Sequence, residues 1–268
     1  MNALCQMTGL SRAGFYRWRM PSQAAPVEME LRDQMQKVAL ESPAYGYRRI
    51  TCELQQRGFE VNHKRVLRMM REDNLLCVRR RAFVVTTDSR HNLPVYPNLA
   101  REIKPTAINQ LWVADITYIR LRTEFVYLAV VLDAFSRRVI GWALGRTLEA
   151  GLAVAALQMA LCERKPQTGL VHHSDRGVQY ASQDYTEMLK QHKATISMSR
   201  KGNPYDNAAC ESFMKTLKCE EVYRNEYRDF HEAHSSIGEF LERVYNQKRL
   251  HSALGYVPPV EFENGATQ

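Results

Sequence analysis

The run Leu111-Trp112-Val113-Ala114-Asp115-Ile116-Thr117-Tyr118-Ile119 constrains this chain more than any other stretch. It is rich in β-branched and aromatic residues and almost wholly apolar, which predicts a central strand. A single acid, Asp115, stands in its middle. Burying an unpaired carboxylate costs several kcal/mol, so such a group is expected to have a cation or a metal beside it.

Two later stretches carry matching acids. Leu170-Val171-His172-His173-Ser174-Asp175-Arg176-Gly177 reads as a short apolar strand ending in an acid and followed by glycine. Acids at the carboxyl ends of strands in an open α/β sheet face the usual ligand crevice. Lys201 to Glu221 reads as a helix with Asn203 as N-cap, Pro204 at the first position and Asp206 in the first turn. Cys210, Phe213, Met214 and Leu217 form its apolar stripe. Asn207, Glu211, Lys215 and Lys218 form a polar edge, so one acid stands among an amide and lysines. Asp115 precedes Asp175 by 60 positions, and 35 residues separate Asp175 from Glu211. Three acids on a central strand, a strand end and a helix edge can converge on a pair of hard divalent cations.

This triad resembles the DDE set of retroviral-type integrases and transposases. The surrounding words narrow the likeness: Trp112-Val113-Ala114-Asp115-Ile116-Thr117, Asp133-Ala134-Phe135-Ser136-Arg137, His173-Ser174-Asp175-Arg176-Gly177-Val178-Gln179-Tyr180 and Asp206-Asn207-Ala208-Ala209-Cys210-Glu211-Ser212-Phe213. With Tyr245-Asn246, Arg249, His251 and Leu254-Gly255-Tyr256-Val257-Pro258-Pro259, they resemble the second-frame (B) transposase of the insertion sequence three family across nearly the whole chain. The resemblance implies strand cleavage and strand transfer at the terminal inverted repeats of an insertion element, with insertion into target DNA. It implies two Mg²⁺ ions, for which Mn²⁺ can substitute, held by Asp115, Asp175 and Glu211, with Asp115 bridging both. It further implies a homodimer or higher oligomer on DNA, an upstream-frame protein fused to or acting with this one, and a bacterial, cytoplasmic, nucleoid-associated location.

Charge and cysteine content agree with a DNA-acting protein. Net charge is +8, and residues 1–100 hold 16 Lys and Arg against 9 Asp and Glu, leaving residues 101–268 near neutral. A basic front favours phosphate-bearing partners. The six cysteines contain no C-x-x-C pair, so neither a disulfide framework nor a structural zinc site is indicated. No apolar run approaches the ~20 residues that span a bilayer, and no signal peptide opens the chain, so no membrane partner is expected.

Taken in order, the chain predicts an α/β protein: a small all-α helix-turn-helix region, then a ribonuclease-H-like integrase catalytic core. Residues 1–20 read as a partial helix-turn-helix lacking its first helix. Residues 27–78 read as a helical DNA-binding domain with helices at Val27–Leu40, Tyr47–Arg57 and a third capped by Asn62. Arg48, Arg49, Lys64, Arg65 and Arg68 are its candidate phosphate contacts, joined by Arg79, Arg80 and Arg81 at the start of an extended linker, 79–108. The core, 109–222, is expected to open with a three-strand antiparallel meander (Leu111–Ile119, Phe125–Leu132, Val139–Leu144). Helix 148–162, strand 170–173, helix 182–190, strand 195–198 and the helix bearing Glu211 follow. Residues 223–268 read as a C-terminal helix and tail.

Lys215, Lys218, Asn207, Arg200 and Lys201 are the candidate DNA contacts beside the acids, with positioning of the helix as the alternative role for Asn207. Asp133 reads as a turn cap, Glu220 and Glu221 as surface residues, and His172 and His173 as core histidines. Two alternatives stand beside the transposase reading: a structure-specific nuclease of the same fold, and a catalytically inert DNA-binding regulator.

Overall fold

The computed structural model describes residues 26–75, 94–200 and 207–266. The sequence-predicted helices of residues 1–20, the Arg79–Arg81 run, Lys201 and the Asn203–Asp206 helix start lie outside them. The chain separates into two compact units, Met1–Cys77 and Val78–Gln268. Among the described residues no helix is long and apolar enough to cross a membrane.

In the first unit three helices, α1 (Pro26–Glu41), α2 (Tyr47–Gln56) and α3 (His63–Glu72), pack through one apolar seam. Leu31, Met35 and Val38 of α1 meet Ile50 and Leu54 of α2 and Val66, Met69 and Met70 of α3, all buried. Asn62 caps α3 as its sequence position predicts: its side chain accepts the Arg65 amide at 2.8 Å. Gly58, at φ +89°, supplies the left-handed residue after α2. Arg32 reaches from α1 to Glu72 and Asp73 at the end of α3, fixing the outer two helices together.

The second unit is built on a five-stranded sheet in the order β3-β2-β1-β4-β5. Strands β1 (Leu111–Arg120), β2 (Phe125–Asp133) and β3 (Val139–Gly145) form the antiparallel meander. Strand β4 (Val171–Ser174) then runs parallel to β1, and β5 (Thr195–Met198) parallel to β4. Parallel pairing requires a crossover, supplied by α4 (Ala150–Arg164) before β4 and by α5 (Val178–Ala181) and α6 (Gln183–Gln191) before β5.

β1 lies in the middle and is buried on both faces, which explains its nearly continuous apolar sequence. Trp112 and Ala114 join a cluster with Ala156, Leu157 and Ala160 of α4. Leu111, Val113 and Ile119 join the opposite cluster with Phe213 and Leu217 of α7 (Ala208–Leu217). Gly141 lets α4 lie directly on β3: a Cβ there would stand 2.2 Å from the Ala156 carbonyl oxygen.

The residues after α7 complete this core. α8 (Phe230–Glu239) and the wide turn Phe240–Tyr245 place Ala233, Ile237, Leu241 and Tyr245 in the same cluster as Phe213. Asn246 pairs with both backbone groups of Val139, at 3.0 and 2.9 Å, beside the register shift between β2 and β3. Its amide thus acts as a one-residue substitute for a neighbouring strand. Glu263 of α9 (Pro259–Ala266) binds Arg138 at 2.8 Å and also Arg164.

Two surface assignments made from sequence are overturned. Glu221 is buried and accepts from the Tyr227 and Ser236 hydroxyls, at 2.9 and 2.6 Å. Glu220 takes both arms of the buried Arg249 guanidinium at 2.8 Å each. Each acid is accommodated because a partner far along the chain satisfies it.

Candidate active site

The offset between β1 and β4 is what aligns the first two acids. Leu111 pairs with Val171, Trp112 with His172 and Val113 with His173, a constant step of 60 positions. Asp115 and Asp175 are separated by that same step, each two residues past the last pair. Asp115 lies on β1 and Asp175 directly after the end of β4, so the register brings the two acids to one level of the sheet. They line a single pocket of about 310 Å³.

Local hydrogen bonds fix each acid. The Asp175 Oδ1 accepts the Gly177 amide at 2.8 Å. A side chain at position 177 would begin 2.9 Å from that oxygen, so it would push the Asp175 carboxylate out of this orientation. Asp115 Oδ1 accepts the amide of Ile116 at 2.9 Å. Below them the two histidines are structural, as expected. His172 is buried against the Tyr185 hydroxyl at 2.9 Å, and burial lowers its pKa to about 3, leaving it neutral. The ring nitrogens of His173 are held at 2.8 and 3.0 Å by Ser197 and Ser199.

The electrostatics of the pair are unfavourable without a cation. Burial, then the charge of Asp175 and that of Glu211, push the Asp115 carboxyl up to about 7, against the Ile116 amide and Lys218, which favour ionisation. Glu211 stands exposed in the first turn of α7, its pKa raised by partial burial. The fold therefore joins two of the three acids in one pocket and sets the third within electrostatic reach on the neighbouring helix. Among the described residues no three His, Cys, Asp or Glu side chains are gathered closely enough to hold a metal ion.

The remaining candidates divide. Asn207 is buried, with 8% of its surface exposed, and its Nδ2 donates to the Ala114 carbonyl at 3.1 Å. It is the N-cap residue of α7, a place the sequence reading gave to Asn203. Of its two expected roles the structure supports the positioning one: the side chain ties α7 to β1 one residue before Asp115. Lys218 is half-buried with its ammonium 4.7 Å from the Tyr118 ring centroid, while Lys215 and Arg200 are exposed.

In the helical unit Arg48, Lys64 and Arg68 are exposed, and Arg49 and Arg65 are half-buried. Several are partly engaged: Arg48 and Arg49 lie over the rings of Tyr47 and Tyr45, Arg65 stands 3.8 Å from Glu28, and Arg68 3.6 Å from Glu72. Asp133 is the turn cap expected, accepting from the amides of Asn109, Phe135 and Ser136.

The sequence reading missed the pocket's aromatic wall, formed by Tyr118, Phe125 and Tyr127. Tyr118 and Tyr127 are cross-strand partners, and Phe125 begins β2 with 53% of its surface exposed. A large aromatic at the solvent end of a hairpin was the available signal.

Comparison with known proteins gives consistent results. Residues 105–204 and 192–259 match integrase core domain families, and residues 26–83 match an HTH-like domain. The chain is 41% identical over 266 residues to the insertion element IS600 uncharacterized 31 kDa protein of Shigella sonnei, covering 97% of each. It is 36% identical over 270 residues to transposase InsF for insertion sequence IS3A of Escherichia coli, covering 98% of this chain and 94% of that one. An integrase-type fold is also seen in a simian T-cell lymphotropic virus intasome in complex with PP2A regulatory subunit B56 gamma. That match has a TM-score of 0.51 and 14% identity and covers 86% of this chain and 74% of the other. The expected fold is thereby met: a ribonuclease-H-like integrase core preceded by a helical, helix-turn-helix-like region.

Proposed function

Since the chain belongs to the insertion sequence IS3 transposase family, we propose that it cuts and joins DNA strands at the terminal inverted repeats of its element through Asp115, Asp175 and Glu211. The observation that carries the reading is the shared step of 60 positions, which sets Asp115 level with Asp175 across β1 and β4 in one pocket.

The donor set fits a hard divalent cation. Two carboxylates side by side offer oxygen ligands alone, and the raised pKa of Asp115, set first by burial and then by the charge of Asp175, marks a site that a bound cation would relieve. Asp115 and Asp175 would hold Mg²⁺, or Mn²⁺ in its place, with Glu211 contributing from α7. Two such ions, when bound, activate an attacking oxygen and stabilise the departing one at phosphorus.

The chain's own residues do the rest. In cleavage, water attacks the phosphorus and the bond to the 3′ oxygen breaks, leaving a 3′ hydroxyl. In joining, that 3′ oxygen attacks a second phosphodiester and displaces another 3′ oxygen. Lys215, on the same helix as Glu211, and Lys218, directly after its end, hold phosphates next to the reacting one. Asn207 keeps that helix in place on β1. Arg48, Arg49, Lys64, Arg65 and Arg68 attach the helical unit, assigned to residues 27–78, to duplex phosphates. Catalysis is assigned to 109–222, and a dimer on paired ends, working with the upstream-frame product, is the acting form.

The test is an assay on duplexes carrying the element's own ends with Mg²⁺. Wild type is expected to release 3′ hydroxyl ends and form joined product, while Glu211→Gln binds the same duplex and does neither. Cutting without joining would support a nuclease instead, and equal cutting by Glu211→Gln would remove Glu211 from the site.

A further inference from the structure

The pocket holding the two aspartates has a second half that the cutting chemistry does not use. Beyond Asp115 and Asp175 its walls include Ile116, Tyr118, Phe125, Tyr127 and Leu148. The Tyr118 and Phe125 rings meet edge to face, with centroids 6.0 Å apart and planes at 63°. One face of Tyr118 is taken by the Lys218 ammonium. Phe125 and Leu148 are 53% and 38% exposed, large apolar surface left in water beside the acids. Opposite them the Gln179 amide is held by the Leu148 carbonyl at 3.0 Å.

We propose that this aromatic half is a subsite for one unstacked nucleobase next to the scissile phosphate, with Phe125 as its stacking platform. The inference rests on the transposase reading, because the occupant is identified by its neighbour. Whatever enters shares the pocket with the carboxylates, and a phosphodiester bound there is covalently attached to sugars and bases. Phosphate and sugar have no reason to leave water for a phenyl ring, whereas every base has a flat π-face that stacks on one. The whole pocket, aspartates included, is about 310 Å³, at the small end of ligand sites, so its aromatic half takes a single base and not a stacked pair. Drawing that base out of the duplex bends the backbone at its phosphate and exposes the phosphorus to in-line attack.

The test compares wild type, Phe125→Ala and Phe125→Trp on element-end duplexes with Mg²⁺. The duplexes are either intact or carry one abasic residue, placed in turn at each nucleotide flanking the cut. Phe125 is more than half exposed, so its truncation opens no interior cavity, and equal melting temperatures verify this. On intact duplex Phe125→Ala is expected to cleave about tenfold more slowly and Phe125→Trp at the wild-type rate. At one abasic position wild type and Phe125→Ala should become equal, since no base remains to stack. A Phe125→Ala rate equal to wild type on intact duplex would overturn the subsite, as would a deficit of the same size at every abasic position. Asp115→Asn, run alongside, reports separately on the transposase reading: if it cleaves as wild type does, that reading fails whatever Phe125 does.

Discussion

Replacing Asp115 by Asn should make the metal-free protein more stable at alkaline pH and leave it little changed at acid pH. The native carboxyl has a pKa of about 7 against an ordinary 3.8. The folded state therefore binds a proton that the unfolded state has lost between those two values. Stability falls as pH rises through that window, and above pH 7 the full cost of the ionised group is present. At about 1.4 kcal/mol per pH unit the cost is at most about 4 kcal/mol, and solvent at this partly exposed side chain brings it nearer about 2. For a unit of this size that is roughly 4–8 °C in melting temperature. The assay is thermal unfolding of both proteins at pH 8.5 and pH 4.5 in chelator, then at pH 8.5 with millimolar Mg²⁺. The variant should melt higher at pH 8.5, the gap should shrink at pH 4.5, and Mg²⁺ should raise wild type more than the variant. Neutral His172 loses stability in acid, but it does so in both proteins and cancels in the difference. Identical melting at pH 8.5, or a gap that does not depend on pH, would refute the crowded-carboxylate account.

Three further substitutions test other parts of the molecule. Gly141→Ala should cost about 3 kcal/mol by denaturant unfolding, because the added Cβ meets a backbone oxygen of α4 that cannot move aside. Arg249→Ala should cost about 3 kcal/mol by stranding the half-buried Glu220, and Arg249→Met with Glu220→Leu should recover most of that loss. Arg68→Ala should weaken binding to end DNA uniformly across sequences and reduce the salt slope by about one, measured by fluorescence anisotropy at several salt concentrations.

The sheet was legible because its signals are local. β1 announces itself by an apolar run, the meander by tight turns, and the helices by apolar stripes with Asn62 at one cap. The acids were legible as types in positions, and the spacing of Asp115 from Asp175 turns out to be the register of two parallel strands. What could not be read depends on partners distant in the chain. Glu221 looks like any surface acid until Tyr227 and Ser236 close over it, and of the two roles open to Asn207 only the pairing of its amide with Ala114 picks out helix positioning. The aromatic pocket shares that cause, since Tyr118 and Tyr127 become one wall only after β1 and β2 pair.

The bond between Asn246 and Val139 spans 107 positions and has a bearing on synthesis. A ribosome that has already extruded all three acids still holds back the residue that seals the edge of β3. Until it emerges, that strand has unpaired backbone groups and an apolar cluster missing its last members. A nascent chain therefore completes the edge of β3 only once Asn246 has left the ribosome.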